Sequence, residues 1–135
     1  MKVLITTVPF ASVDNTPMKL MESEGIQIDM NPLGRKLKES ELAEIIESYD
    51  ALIAGTDPIG KKVFAKAKNL KLISRVGIGL DSVDLIEARR RGIAVTYTPE
   101  APAPAVAEFT IGLMIALLRQ IHVSNIAMRK GEWYR

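Results

Sequence analysis

The sequence predicts an α/β fold, a parallel five-stranded sheet with helices on both faces. Three observations carry that prediction. Five short apolar runs alternate with helix-forming segments, the pattern of strands joined by right-handed crossovers. The fourth run leads directly into a glycine turn and a helix start, Lys71-Leu-Ile-Ser-Arg75-Val-Gly77-Ile-Gly79-Leu-Asp81-Ser-Val-Asp84. Glycine-bearing loops follow the third and fourth runs, at the strand ends where open parallel sheets bind ligands.

Each element has its own signal. Val3 to Val8 is a first buried strand, ended by Pro9. Ser12 to Glu24 is helix-forming, and Pro17 marks the true start near Thr16, because proline fits a first turn. Gly25 stops that helix. Ile26 to Met30 is the second strand, and Asn31-Pro32-Leu33-Gly34 a loop. Ser40 precedes a helix over Glu41 to Ser48, with Leu42, Ile45 and Ile46 on one face. Ala51 to Ala54 is the third strand, and Gly55-Thr56-Asp57-Pro58-Ile59-Gly60 a second loop facing the same crevice as Gly77. Lys61 to Lys68 forms a short basic helix with a solvated lysine face.

The glycine turn is the centre of the chain. Gly77 and Gly79 allow a sharp reversal and leave amides uncovered by side chains. Asp81 is placed to cap the next helix, about Ser82 to Arg91, with Asp84 at the box position and Leu80 and Leu85 as a staple. Free amides beside a helix N-terminus suit an anion. Arg75 adds a planar cationic fork. Gly92 sits where a helix-ending glycine belongs, Arg89 to Arg91 complement the helix dipole, and Ile93 to Thr96 is the fifth strand.

The character then changes. Thr98-Pro99-Glu100-Ala101-Pro102-Ala103-Pro104 reads as a stiff connector, since each proline restricts itself and its predecessor. A domain boundary is expected here, with residues 1–98 before it and 99–135 after it. Ala105 to Arg119 is a helix with almost nothing polar between Glu108 and Arg119. A helix apolar all round has to be covered all round, which implies a second domain or another subunit. A further helix spans Val123 to Arg129. The ending at Gly131-Glu-Trp133-Tyr-Arg135 has little core for its tryptophan and looks like a truncation.

Composition narrows the function. At 135 residues, 47% hydrophobic and 25% charged, the chain is an ordinary folded one with about two thirds of its unfolded surface to bury. A net charge of +2 and seven aromatics argue against a nucleic-acid surface. There is no cysteine, so neither a disulfide nor a thiolate metal site is expected. The chain starts without a secretory signal, and its longest apolar stretch, Phe109 to Leu118, is about half a membrane span. A soluble, cytoplasmic protein without membrane contact is expected.

No known chemistry emerges from the motifs alone. Gly77-Ile78-Gly79 begins a dinucleotide fingerprint, but Ser82 stands at the sixth position, where glycine or alanine is needed. Glu100, about twenty residues on, falls in the connector. There is no GxSxG and no metal motif, so no metal site is expected. His122, the only histidine, reads as a surface or packing residue.

Taken together, Ser74-Arg-Val-Gly-Ile-Gly-Leu-Asp81-Ser-Val-Asp84-Leu, Arg91-Gly-Ile, Thr98-Pro99, Ala105-Val-Ala-Glu108 and Ile111 through Arg119 resemble the D-isomer-specific 2-hydroxyacid dehydrogenases. Arg119-Gln-Ile and Met128-Arg-Lys-Gly131-Glu-Trp133 look most like the D-3-phosphoglycerate dehydrogenase branch. The resemblance implies a flavodoxin-like substrate domain over 1–98. It also implies, over 99–135, a hinge and the opening helices of a truncated Rossmann NAD domain. It implies hydride transfer between NAD, or NADP, and a small 2-hydroxy or 2-oxo acid. The amides of Gly77, Ile78 and Gly79 would hold the substrate carboxylate with Arg75 nearby, and Gly55 and Thr56 would face the substrate. Ile78 and Val106 would pack near the nicotinamide, and the 105–119 helix would build a homodimer. The family's catalytic Arg, Glu and His lie beyond Arg135, so no catalytic residue is expected within these 135, and His122 is not the general acid. Two departures stand out. Gly55-Thr56 replaces the Arg-Ser common in the phosphoglycerate branch. Glu100 and Pro102 replace the usual Gly and Asn, which stiffens the hinge. An NAD-sensing corepressor of the same fold and a free-standing anion-binding module are the alternative readings.

Overall fold

The computed structural model of the chain describes residues 1–133. Five strands form one parallel sheet: β1 (Lys2–Ile5), β2 (Gln27–Met30), β3 (Ala51–Ala54), β4 (Leu72–Arg75) and β5 (Ala94–Tyr97). Their order is β2-β1-β3-β4-β5, the flavodoxin-like doubly wound arrangement. The helices are α1 (Thr16–Ser23), α2 (Glu39–Ile45), α3 (Lys61–Lys66), α4 (Leu85–Arg90), α5 (Ala103–Leu118) and α6 (Ile121–Arg129).

The register explains the layers. Leu4, Leu52, Ile73 and Val95 lie side by side across four strands and point to one face. There they pack with Leu42 and Ile46 from the α2 region, Val63 and Phe64 of α3, and Ala88 of α4. Val3, Ala51 and Leu72 point the other way, towards Met18 and Met21 of α1. Helices therefore cover both faces, unequally. Ala54 and Arg75 are paired across β3 and β4, so Arg75 continues the face of the larger core beyond its apolar end.

At the amino ends of the strands the charges pair among themselves. Lys2 Nζ lies 3.0 Å from Asp29 and 4.5 Å from the Tyr49 ring centre. Tyr49 donates to the same carboxylate at 2.9 Å. The Lys2 amide donates to Asp50 at 2.8 Å, and Lys71 lies 3.7 Å from Asp50. The Lys2 hydrogen bond, then that from Tyr49, holds the Asp29 carboxyl below the usual range.

Several boundaries differ from the sequence reading. The helix expected from about Ser82 begins only at Leu85, and its cap is Asp84, which accepts from Glu87 N at 3.0 Å, not Asp81. The reason is a tertiary bridge: Ile59 N donates to Ser82 O at 2.7 Å and Asp84 N donates to Ile59 O at 2.9 Å, which pairs Val83 with Ile59 and leaves Ser82 in the turn before it, outside any helix. α2 starts two residues early, at Glu39, and ends in a tighter turn over Ile46–Ser48. The strand expected over Val3–Val8 stops at Ile5. The expected connector is shorter than read, because α5 starts at Ala103 with Pro104 in its first turn, where a missing N–H costs nothing.

The chain divides into two compact units, Met1–Pro99 and Glu100–Arg135. The first holds the sheet and α1 to α4. In the second, α5 and α6 meet at a 63° bend, with Gln120 in the left-handed region at φ 50°. No residue of α5 is buried: Phe109 is 68% and Leu118 83% exposed. Among the described residues no single helix is long and apolar enough to cross a membrane, although α5 and α6 taken together, bent as they are, have the length and composition. Tyr134 and Arg135, which close the stretch after Trp133, lie outside the described residues.

Candidate functional site

The carboxyl ends of β1, β3 and β4 converge on two adjoining cavities that share Lys36 and Thr56. The smaller, about 170 Å³, is walled by Thr6, Thr7 and Val8 after β1 and by Gly55 and Asp57 after β3. It lies where β1 and β3 diverge, the switch point of a sheet in this order. The larger, about 400 Å³, is bounded by Pro58, Arg75, Gly79, Asp81 and Ser82.

Three local arrangements shape the crevice. Gly55 comes so close to the β1 loop that a Cβ there would stand 3.2 Å from Thr7 Oγ1. Asp57, 1% exposed, accepts from the Leu37 amide and from Thr6 Oγ1, each at 2.7 Å. This buried carboxylate therefore ties the segment before α2, Lys36 included, to the crevice wall. Arg35, next to Lys36, is occupied by a two-pronged pair with Glu41 at 2.8 and 2.9 Å. That contact, with the Lys38 amide, holds the Glu41 carboxyl down at about 2. Lys36 forms no ion pair among the described residues.

The glycine turn is built around Arg75. Gly77 has φ 136°, a backbone that L side chains rarely adopt, and a Cβ on it would lie 1.8 Å from Arg75 Nη1. The guanidinium thus occupies the space that the missing side chain leaves. It folds back to donate to the Val76 carbonyl, while its Nε is buried without a partner. Arg75 is only 9% exposed and has no carboxylate within ion-pair distance among the described residues. A buried cation without a counter-charge is costly, and an anionic ligand would relieve it. Ser82 Oγ, on the same cavity, is buried and unpartnered as well.

Of the three amides expected to be free, one is taken. Gly77 N–H donates to Thr98 Oγ1 at 2.8 Å, and Thr98 N–H returns a bond to the Gly77 carbonyl at 3.1 Å. The amides of Ile78 and Gly79 have no partner among the described residues. Gly55, Thr56, Arg75 and Gly79 all line the cavities, and Ile78, 52% exposed, stands at the turn between them. Val106 belongs to the second unit, on α5, and is 59% exposed. His122 lies exposed on α6.

Sequence reading missed Lys36, Asp57, Ser82 and Thr98 as parts of this neighbourhood. Lys36 carries no motif, and Thr98, read only as the start of the proline connector, lies about twenty residues from the turn it bonds. Asp57 and Ser82 fall inside stretches singled out for their glycines, but nothing local marks one as buried and the other as unpartnered. The turn itself does not fit a dinucleotide pyrophosphate: Arg75 fills the cleft at Gly77, the Gly77 amide is occupied, and no α-helix starts until Leu85.

The family model for the catalytic domain of the D-isomer specific 2-hydroxyacid dehydrogenases matches residues 3–132. The chain is 36% identical over 119 residues to a hydroxypyruvate reductase from Thermotoga maritima, a match covering 84% of this chain and 39% of that protein. It is 40% identical over 101 residues to a D-3-phosphoglycerate dehydrogenase from Methanocaldococcus jannaschii, covering 73% and 19%. The crystal structure of the TT0316 protein from Thermus thermophilus superposes with a TM-score of 0.87 at 33% identity, over all of this chain and 42% of that one. NAD+-bound 3-phosphoglycerate dehydrogenase from Entamoeba histolytica superposes with a TM-score of 0.74 at 29% identity, over 86% and 38%. The chain spans about two fifths or less of the length of these proteins. With its sheet order, its glycine turn and a match running almost from end to end, the chain belongs to the D-isomer specific 2-hydroxyacid dehydrogenases.

Proposed function

We propose that this chain is the substrate-binding part of an NAD-dependent oxidoreductase that interconverts a D-2-hydroxy acid and its 2-oxo acid. The observation that carries the reading is the buried, unpaired Arg75 beside the unpartnered amides of Ile78 and Gly79. Together these offer a positive charge and backbone donors at one rim of the sheet, a receptor for a carboxylate. Gly55 and Thr56 close the crevice on the β3 side and limit the size of the group attached to that carboxylate. Phosphoglycerate-like acids are the favoured substrates, in keeping with the D-3-phosphoglycerate dehydrogenase relative.

The chemistry NAD, or NADP, supplies is acceptance of a hydride from C2, with the hydroxyl proton passing to a base. This chain contributes the hold on the carboxylate, and exposed apolar surface at Ile78 and Val106 for the nicotinamide. Its glycine turn, filled by Arg75, offers no place for the pyrophosphate, and His122 is not the proton-transferring group. Residues 1–98 act as the substrate domain. Residues 99–135 are the hinge and first helices of the NAD domain, and the exposed apolar α5 forms a homodimer contact. The protein acts in the cytoplasm, without membrane or nucleic-acid partners.

The test is binding without turnover. Calorimetry on the 135-residue chain is expected to detect hydroxypyruvate and D-glycerate, while NADH with hydroxypyruvate or phosphohydroxypyruvate shows no oxidation. Absence of acid binding contradicts the site, and NADH turnover contradicts placing the cofactor cradle and general acid elsewhere.

A further inference from the structure

The backbone after β4 outruns its neighbour β5. Ala94 N donates to the Lys71 carbonyl at 2.9 Å, and Thr98 N donates to the Gly77 carbonyl at 3.1 Å, so four steps along β5 match six along β4. The surplus falls after Arg75, which is still in register with Tyr97. It bows out at Val76 and Gly77, and Gly77 has no side chain to fix its torsions. Thr98 closes the bow a second time, because its Oγ1 accepts from the Gly77 N–H at 2.8 Å.

A peptide group is planar and trans, so its C=O and N–H point opposite ways, and gripping one end aims the other. The Val76–Gly77 peptide is held at both ends, its carbonyl by the Arg75 guanidinium and its N–H by Thr98 Oγ1. The Gly77–Ile78 peptide is held at its carbonyl by the Thr98 N–H, which turns the Ile78 N–H to the opposite side, where nothing among the described residues accepts it. One residue thus reaches the Arg75 guanidinium through one peptide and the Ile78 amide through the next. It is stiff enough for that role. A β-branched side chain has few χ1 choices, and Pro99 confines the Thr98 backbone to extended conformations.

We propose that Thr98 is the positioning residue of the acid site: its hydroxyl and its amide fix the two peptides around Gly77, and so set Arg75 and the Ile78 N–H for one carboxylate. The inference rests on the carboxylate-binding reading and deepens it. Thr98 itself touches no ligand.

Calorimetry and amide-resolved NMR on the 135-residue chain test this with glycolate. Thr98→Val, which keeps the shape and deletes the hydroxyl, is expected to weaken glycolate about fivefold or more. In the acid-free protein it moves the Arg75 Nε–H and Ile78 N–H signals and speeds hydrogen exchange at Gly77. Ala94, whose ladder bond lies outside the turn, keeps its protection. Thr98→Ser restores the hydroxyl and binds within about twofold of the parent chain. Unchanged affinity in Thr98→Val, tighter binding through the released Gly77 amide, or an equal loss in Thr98→Ser overturns the positioning role and leaves the acid site standing. Loss of Ala94 protection together with affinity overturns it as well, since the strand itself has then loosened. No binding of glycolate by the unaltered chain overturns the carboxylate reading and this one with it. Should Thr98→Val fail to fold, Thr98→Ala reads the same change.

Discussion

The two rims of one sheet treat charge in opposite ways. At the amino rim, Lys2, Asp29, Tyr49, Asp50 and Lys71 satisfy one another within 3.7 Å. At the carboxyl rim, Arg75 is buried without a counter-ion, Ser82 Oγ has no partner, and two amides find no acceptor among the described residues. Strand chemistry is similar at both ends, so the difference comes from the loops. Paired charges close an edge; unpaired ones at a parallel sheet's carboxyl end hold open a place for a ligand.

The largest break in that contrast comes from Gly77. Gly77→Val places a branched side chain at φ 136° and onto the Arg75 guanidinium. It is expected to cost more than about 2 kcal/mol in urea unfolding and to abolish acid binding. Removing the guanidinium in Gly77→Ala/Arg75→Ala should recover part of the stability lost in Gly77→Ala but none of the binding, a coupling that a double-mutant cycle reads directly.

Asp57→Ala comes next. It strands the Leu37 amide and the Thr6 hydroxyl in a buried wall, at a cost of about 2–3 kcal/mol. The expected signature is faster hydrogen exchange at Leu37 together with weakened acid binding. At the other rim, Tyr49→Phe removes one hydrogen bond to Asp29, worth about 1 kcal/mol, and should leave acid affinity unchanged. A change in acid affinity there would erase the functional contrast between the rims.

The smallest effect is in pH. Glu87, gripped by Arg90 and then Arg91, has its carboxyl lowered from an ordinary 4.5 to about 2. A depressed carboxylate contributes stability that is present above its unfolded value and lost as pH falls from about 4.5 through about 2. Glu87→Gln should flatten the melting-temperature profile in that window and leave the profile near neutrality unchanged.

How much of this was legible in the sequence depends on range. The β strands, the glycine at 92 and the special turn at 77 rest on local pattern, and the structure contains all of them. The α4 start was misread because the deciding contact, Ile59 with Ser82 and Asp84, joins residues more than twenty apart. Arg75, Gly77 and Gly79 were visible as candidates because they share one short stretch. Lys36, Asp57 and Thr98 reach the site from other loops, and their part in it exists only once the sheet has assembled. The apolar run in α5 was equally plain, yet hydrophobicity alone states that a surface needs cover and not what covers it.

The most direct test is an amide-resolved NMR titration of the 135-residue chain with glycolate. The account predicts the largest shifts at the Ile78 and Gly79 amides and at Arg75 Nε–H, with Lys2, Asp50 and Lys71 unmoved. Unchanged Ile78 and Gly79 signals at saturating acid, or shifts gathered at the amino rim, would contradict it.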